Sequence, residues 1–199
     1  QPRGLTFSPN GDLWVVGDQK VGMLGSGKFD DLNFAARAVT VDKDDRVLVG
    51  GEGGLAIRLS SKAKFTDLGL PSTKSVITGV CASSDGNWWI ADSGARLIYK
   101  IDSFGQILDT IGEKSEKGAY PGIHLPSAHL DVAELKDGRI LLNNTGMHRL
   151  EIHQPGEGLA TSWGTTSMTD PAGFTGCCNP TDFAVMPNGD IVTSEKGTP

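Results

Sequence analysis

The chain has 199 residues, 38% hydrophobic and 21% charged, with 18 Lys and Arg against 24 Asp and Glu for a net charge of −6. This is the composition of one ordinary globular domain. It has no basic stripe for nucleic acid, no apolar run long enough to span a membrane, and too few cysteines (three) for a disulfide framework.

Along the chain one pattern returns five times: a short apolar strand, a tight polar turn, a second apolar strand. The copies are GLTFSPNGDLWVV from Gly4, AVTVDKDDRVLVG from Ala38, GVCASSDGNWWIA from Gly79, DVAELKDGRILLN from Asp131 and DFAVMPNGDIVTS from Asp182. Their turns, Asn10-Gly11, Asp44-Asp45, Asp85-Gly86, Asp137-Gly138 and Asn188-Gly189, read as two-residue hairpins that need positive φ. The turns follow one another at 34, 41, 52 and 51 residues, the period of one four-stranded propeller blade. Before the turn, Leu5, Val39, Val80, Val132 and Phe183 share a column, followed by the small residues Thr6, Thr40, Cys81, Ala133 and Ala184. After it, Leu13-Trp14, Val47-Leu48, Trp88-Trp89, Ile140-Leu141 and Ile191-Val192 are apolar in pairs, so both faces of the strand are covered, as in a blade between two others.

Third strands are predicted at 96–101 and 149–153 and fourth strands at 106–111 and 159–163, with no helical period anywhere. The expected fold is therefore an all-β propeller of four-stranded antiparallel blades. Its blade cores lie near 4–31, 38–68, 79–112, 131–164 and 182–199. The chain starts inside one repeat and stops after the second strand of another, so it reads as a trimmed piece of a longer propeller.

Two joins are enlarged, 113–128 and 165–179, on adjacent blades, and they mark one rim as the ligand face. Asp131 and Asp182 occupy one column at the start of the innermost strand, where the other blades carry Gly4, Ala38 and Gly79. Two carboxylates there would grip a cation, a sugar or an amine; the commoner role is to cap local backbone N–H groups. Cys177 and Cys178 on the same rim suit a soft metal, a strained vicinal disulfide or plain packing, and no C-x-x-C spacing is present. His124 and His129 lie in the enlarged join and His148 in the loop between strands two and three of the same blade. A zinc trio is conceivable, but ordinary structural roles are favoured. Arg3 and Arg37 share the column before the Asp position, either as anion donors or as partners of Asp131 and Asp182. Glu195-Lys196 reads as a solvated pair. There is no G-x-S-x-G elbow and no phosphate loop.

The segment Asn144-Thr145-Gly146-Met147-His148-Arg149-Leu150 resembles the signature of NHL repeats, and Asp92-Ser93-Gly94-Ala95-Arg96-Leu97 is a version one residue shorter. The joins from Trp163-Gly164 to Phe174 and from Ile111-Gly112 to Pro126 also resemble the link between NHL blades. Gly17-Asp18 and Gly51-Glu52 depart from the signature. The resemblance implies a six-bladed propeller, with about four and a half blades in this chain.

It implies a module that binds protein, peptide or carbohydrate, with Asp131, Asp182, His129, Asn179, Cys177, Cys178 and Arg37 as candidate ligand contacts. The alternative is a gluconolactonase-like or lyase-like enzyme. For that reading a divalent metal would sit at the channel mouth on Asp131, Asp182 and Asn179. A rigid spacer is a third reading. The start without Met and the common use of such bacterial propellers outside the cytoplasm favour a periplasmic or extracellular setting.

Overall fold

A computed structural model describes residues 1–116, 118–170 and 172–197. Lys117 and Pro171, within the enlarged joins, and the last two residues of the 182–199 core lie outside the described residues.

Among the described residues, eighteen strands form four four-stranded antiparallel sheets and one hairpin. The first sheet holds β1 (Gly4–Phe7), β2 (Leu13–Gly17), β3 (Lys20–Met23) and β4 (Phe29–Asp31). The second holds β5 (Ala35–Val41), β6 (Val47–Glu52), β7 (Gly54–Arg58) and β8 (Thr66–Asp67). The third is β9 (Ile77–Ala82), β10 (Trp88–Asp92), β11 (Leu97–Ile101) and β12 (Ile107–Ile111). The fourth is β13 (Val132–Glu134), β14 (Ile140–Asn144), β15 (Arg149–Gln154) and β16 (Gly158–Trp163). The hairpin pairs β17 (Asp182–Val185) with β18 (Ile191–Ser194). Each sheet is an up-and-down meander in chain order, and the strands β1, β5, β9 and β13 pack on one another from sheet to sheet. The result is an arc of propeller blades. No helix is long and apolar enough to cross a membrane, and among the described residues the helical content is one 3-10 turn at Thr145–Met147.

The five repeat turns are three-residue loops, not two-residue hairpins. Gly11 N donates to Ser8 O and Ser8 N to Asp12 O. The same pair of bonds recurs at Asp45/Asp42, Gly86/Ser83, Gly138/Leu135 and Gly189/Met186. Only the second turn residue has positive φ (Gly11 86°, Asp45 59°, Gly86 86°, Gly138 83°, Gly189 93°), which is a type I turn closed by a left-handed residue. Asp45 shows that the site accepts a short polar side chain in place of glycine.

The paired apolar residues of each second strand do point to opposite faces. Val47 and Val49 pack with Trp14, Val16 and Phe34 of the first blade side, whereas Leu48 joins Trp88, Ile90 and Ile101 of the third sheet. Trp89 and Ala91 turn the other way, onto Val132, Ile140 and Leu142. Leu141 then meets Phe183 and Ile191 of the hairpin. Each such side chain, fully buried, contributes about 2 kcal/mol.

Cationic side chains cover the tryptophans. Across blade interfaces the Arg58 guanidinium lies 4.8 Å from the Trp14 ring centroid and Arg46 5.2 Å from Trp88, and within the third blade Lys100 Nζ lies 5.3 Å from Trp89. Glu134 reaches back one blade and accepts from Trp89 Nε1 at 3.1 Å, Ser84 N at 3.1 Å and the Ser83 and Ser84 hydroxyls at 2.5 Å.

Candidate functional site

The innermost strands surround an axial cavity of about 1100 Å³. Its wall is made of the small and apolar column residues, among them Leu5, Val39, Val80 and Val132. Its mouth carries Arg3, Arg37, His129, Asp131, Asp182 and Lys196. Charged groups therefore gather at one end of an otherwise mild channel.

Asp131 and Asp182 meet there. Asp131 Oδ1 accepts from Val132 N at 2.8 Å and Asp182 Oδ1 from Phe183 N at 2.7 Å, so each caps its own strand. The two carboxyl groups lie near each other at this mouth. Burial first, then the neighbouring Asp182 carboxyl, raise Asp131 well above the usual carboxylate range.

Asp131 has room because its counterpart one blade earlier is Gly79. A Cβ there would collide with Asp131 Oδ1. Asn143, buried on β14, positions both arms: its Oδ1 accepts from Asp131 N at 2.6 Å, and its Nδ2 donates to Pro180 O at 3.0 Å and Thr181 O at 3.2 Å, directly before Asp182.

His129, half-buried at the same mouth, is held below its ordinary pKa by burial and by the nearby Lys196 and Arg37 cations, against the opposing pull of Asp182. It is a neutral imidazole at pH 7.

The arginines pair elsewhere than with Asp131 and Asp182. Arg37 forms an ion pair with Glu52, and Arg3 with Asp18 at 3.8 Å. These acids are the residues at which the first two copies depart from the NHL-like signature. Asp18 sits beside Arg3, which directly precedes β1, and Glu52 beside Arg37, which stands at the bulge within β5. Both arginines still line the cavity, with part of their charge offset.

Asn179 stands apart from this group. It is buried, with its Oδ1 taken by Lys196 N at 2.7 Å and its Nδ2 bonded to Thr175 O at 2.6 Å and Lys196 O at 3.0 Å. Glu195 and Lys196 are likewise more than a solvated pair. Glu195 Oε2 accepts from Thr175 N at 3.1 Å, while the Lys196 backbone grips Asn179.

Equivalent braces occur in earlier blades. Asp92 Oδ1 accepts from Val76 N at 3.0 Å and Asn144 Oδ1 from His124 N at 2.9 Å. The residue that ends strand two therefore fastens the join of its own blade. This role belongs to the signature residues, and their acidic or amide character at a fixed place after the turn was its one trace in the sequence.

The histidines do not converge. His124 Nε2 lies 3.3 Å from Pro121 O, His148 Nε2 donates to Gly176 O, and His153 Nε2 donates to Glu151 at 2.9 Å inside the fourth blade. Among the described residues no three His, Cys, Asp or Glu side chains are grouped to hold a metal ion. Of the three nominated ligands, Asp131 and Asp182 come together without Asn179. Cys177 and Cys178 lie on the rim outside the cavity, as free thiols with Sγ atoms 3.1 Å apart.

A buried polar group missed in the sequence is centred on Glu151. Its carboxylate accepts from Tyr120 Oη at 2.7 Å, Asn144 Nδ2 at 2.9 Å, Arg149 Nε at 2.8 Å and His153 Nε2 at 2.9 Å. Burial alone would raise this carboxyl, but the four donors hold it below the ordinary Glu value. It ties the first enlarged join to the blade.

The fold and this axial mouth define a β-propeller. No protein-family profile matches the chain, and no curated protein matches it in sequence. Solved structures do. A virginiamycin B lyase from Staphylococcus aureus, solved with quinupristin as the inactive H270A form, is similar over 100% of this chain and 71% of its own (TM-score 0.64, 16% identity). The WD40 β-propeller domain of Doa1 is similar over 96% of this chain and 59% of its own (TM-score 0.65, 16% identity). A protein of unknown function from Bacteroides thetaiotaomicron is similar over 96% and 52% (TM-score 0.66, 16% identity). At these identities the likeness is one of fold.

Proposed function

We propose that this propeller is a binding module that takes a peptide segment of a partner at the mouth of its axial cavity. The observation that carries this reading is the meeting of the Asp131 and Asp182 carboxyl groups, the His129 imidazole and the Arg37 and Lys196 cations at one rim. Such a set offers donors and acceptors in alternation, which suits peptide groups. The cavity volume, about 1100 Å³, admits several residues. Among the described lining residues the aromatic one is Phe183, which is buried against Leu141, so no exposed Trp or Tyr face is offered to a sugar. The WD40 domain among the similar structures is a fold-level support only.

We assign the repeats to the NHL type, on the segments ending in Arg96-Leu97 and Arg149-Leu150, and residues 1–199 to one such propeller domain. The test is selection of a random peptide library on the immobilised protein. Enriched peptides that lose binding to Asp182→Asn and Arg37→Ala support the reading. Enrichment indifferent to both substitutions, or dependence of glycan binding alone on them, overturns it.

A second reading rests on protonation. Asp131 is shifted toward its protonated form and His129 toward its neutral form, and two groups driven in this way suit an acid and a base on one substrate. Lyases are among the similar structures. Turnover of a cyclic ester or peptide ester, abolished by Asp131→Asn and by His129→Gln, would favour it. A divalent metal between Asp131 and Asp182 would need donors beyond these two carboxylates.

A further inference from the structure

We propose that Cys177 and Cys178 are a thiol–disulfide exchange site that closes reversibly to a vicinal disulfide beside the axial mouth. The sulfurs already face each other at 3.1 Å, Cys177 is exposed and Cys178 half-buried, so small disulfides can reach them. Two tethers hold the pair on a short span. His148 Nε2 donates to Gly176 O on one side, and on the other the Asn179 side chain is fixed to Thr175 and Lys196. The Cys178 sulfur faces the hydroxyl of Ser127, which has no partner of ordinary geometry among the described residues. Contact with Ser127 and with Cys177 favours the Cys178 thiolate, while Cys177 is shifted the other way. Cys178 is therefore the attacking sulfur.

The exchange balances with a low-molecular-weight disulfide as oxidant. The Cys178 thiolate attacks one sulfur of R–S–S–R, forming a mixed disulfide and releasing one thiolate R–S⁻. Cys177 loses its proton to solvent and attacks the Cys178 sulfur, forming the Cys177–Cys178 bond and releasing the second R–S⁻. The protein loses two hydrogens, and the oxidant becomes two thiols.

Adjacent Cα atoms stand about 3.8 Å apart, closer than an unstrained disulfide prefers. The closed form is therefore readily reduced, which suits a switch and not a staple. Its lever on the cavity is short. Cys178 lies four residues before Asp182, and its neighbour Ser127 lies two before His129.

The test is intact-mass analysis and peptide mapping of the native protein after exposure to oxidised glutathione. The expected product is lighter by two hydrogens, carries no glutathione, maps to Cys177–Cys178, and regains both hydrogens with a monothiol. Cys177→Ser instead retains one glutathione on Cys178. Cys81, buried and pushed up to about 11 by desolvation, stays reduced throughout. A wild-type protein that keeps a stable glutathione adduct on either cysteine, or whose 177 and 178 thiols both stay free, overturns the proposal. That result needs no variant to fold.

Discussion

Asp131 and Asp182, from neighbouring blades, bring their carboxyl groups together at the mouth of the axial cavity. Burial and the nearby Asp182 carboxyl raise Asp131, so the folded state holds its proton to a higher pH than the unfolded chain does. The sign follows directly. The folded pKa of Asp131 is raised, so its contribution favours folding least once pH exceeds that value, and stability falls as pH climbs from about 4 toward it. Asp131→Asn keeps the acceptor for Val132 N and removes the ionisation. We expect it to raise the melting temperature at pH 7 by about 3 °C, and to flatten the melting temperature between pH 4 and 7. An unchanged pH profile would contradict the raised pKa of Asp131.

Gly79 and Asp131 form the second test. The glycine is required by close approach, since a Cβ would strike the Asp131 carboxylate. Gly79→Ala should cost about 1–3 kcal/mol in chemical denaturation. The penalty should shrink when Asp131 is also truncated to Ala, because the collision with Oδ1 is then absent and the approach to the residue 131 Cα, at 2.9 Å, remains. Equal penalties in both backgrounds would place the cost elsewhere.

The blades were legible because strand and turn signals are local. Trp88-Trp89 and Val47-Leu48 announce two covered faces, and Asn-Gly or Asp-Gly marks each turn. The column of Gly4, Ala38, Gly79, Asp131 and Asp182 likewise placed two carboxylates at one mouth. What local pattern could not give was the partner of a polar side chain. Arg3 and Arg37 looked free to cross the channel, yet each has an acid, Asp18 or Glu52, at the end of its own second strand. Asn179 looked like a ligand because it precedes the Asp182 strand, but its amide is consumed by backbone groups of Thr175 and Lys196. Asn143, Glu134 and Glu151 went unnoticed, since their bonds reach across blades or into a long join.

Arg46 offers a test of the interface between the second and third blades. It bonds Asp42 Oδ2 at 2.6 Å and Gly86 O at 2.9 Å while its guanidinium covers Trp88. Asp42 is buried, so losing the cation strands a carboxylate. Arg46→Ala should lower stability by about 3 kcal/mol in urea unfolding. Arg46→Lys should recover little of it, because one ammonium cannot serve the carboxylate, the carbonyl and the ring together. Full recovery by lysine would reduce the interaction to simple charge.

Glu151 makes the converse pH prediction. Its four donors depress its folded pKa, so the stability it supplies is full above its unfolded value, about 4.5, and is lost as pH falls through the folded value. Arg149, Tyr120 and His153 all depend on that one carboxylate, and removing its charge leaves the half-buried guanidinium beside a neutral amide. Glu151→Gln should therefore cost about 3 kcal/mol at pH 7 and less as pH falls below the unfolded value, where the unfolded carboxyl takes up a proton and the wild-type advantage declines. Hydrogen exchange should locate the loss in the 113–128 join, which Tyr120 anchors to the blade. A uniform destabilisation with no added exchange in that join would show that Glu151 serves the blade alone.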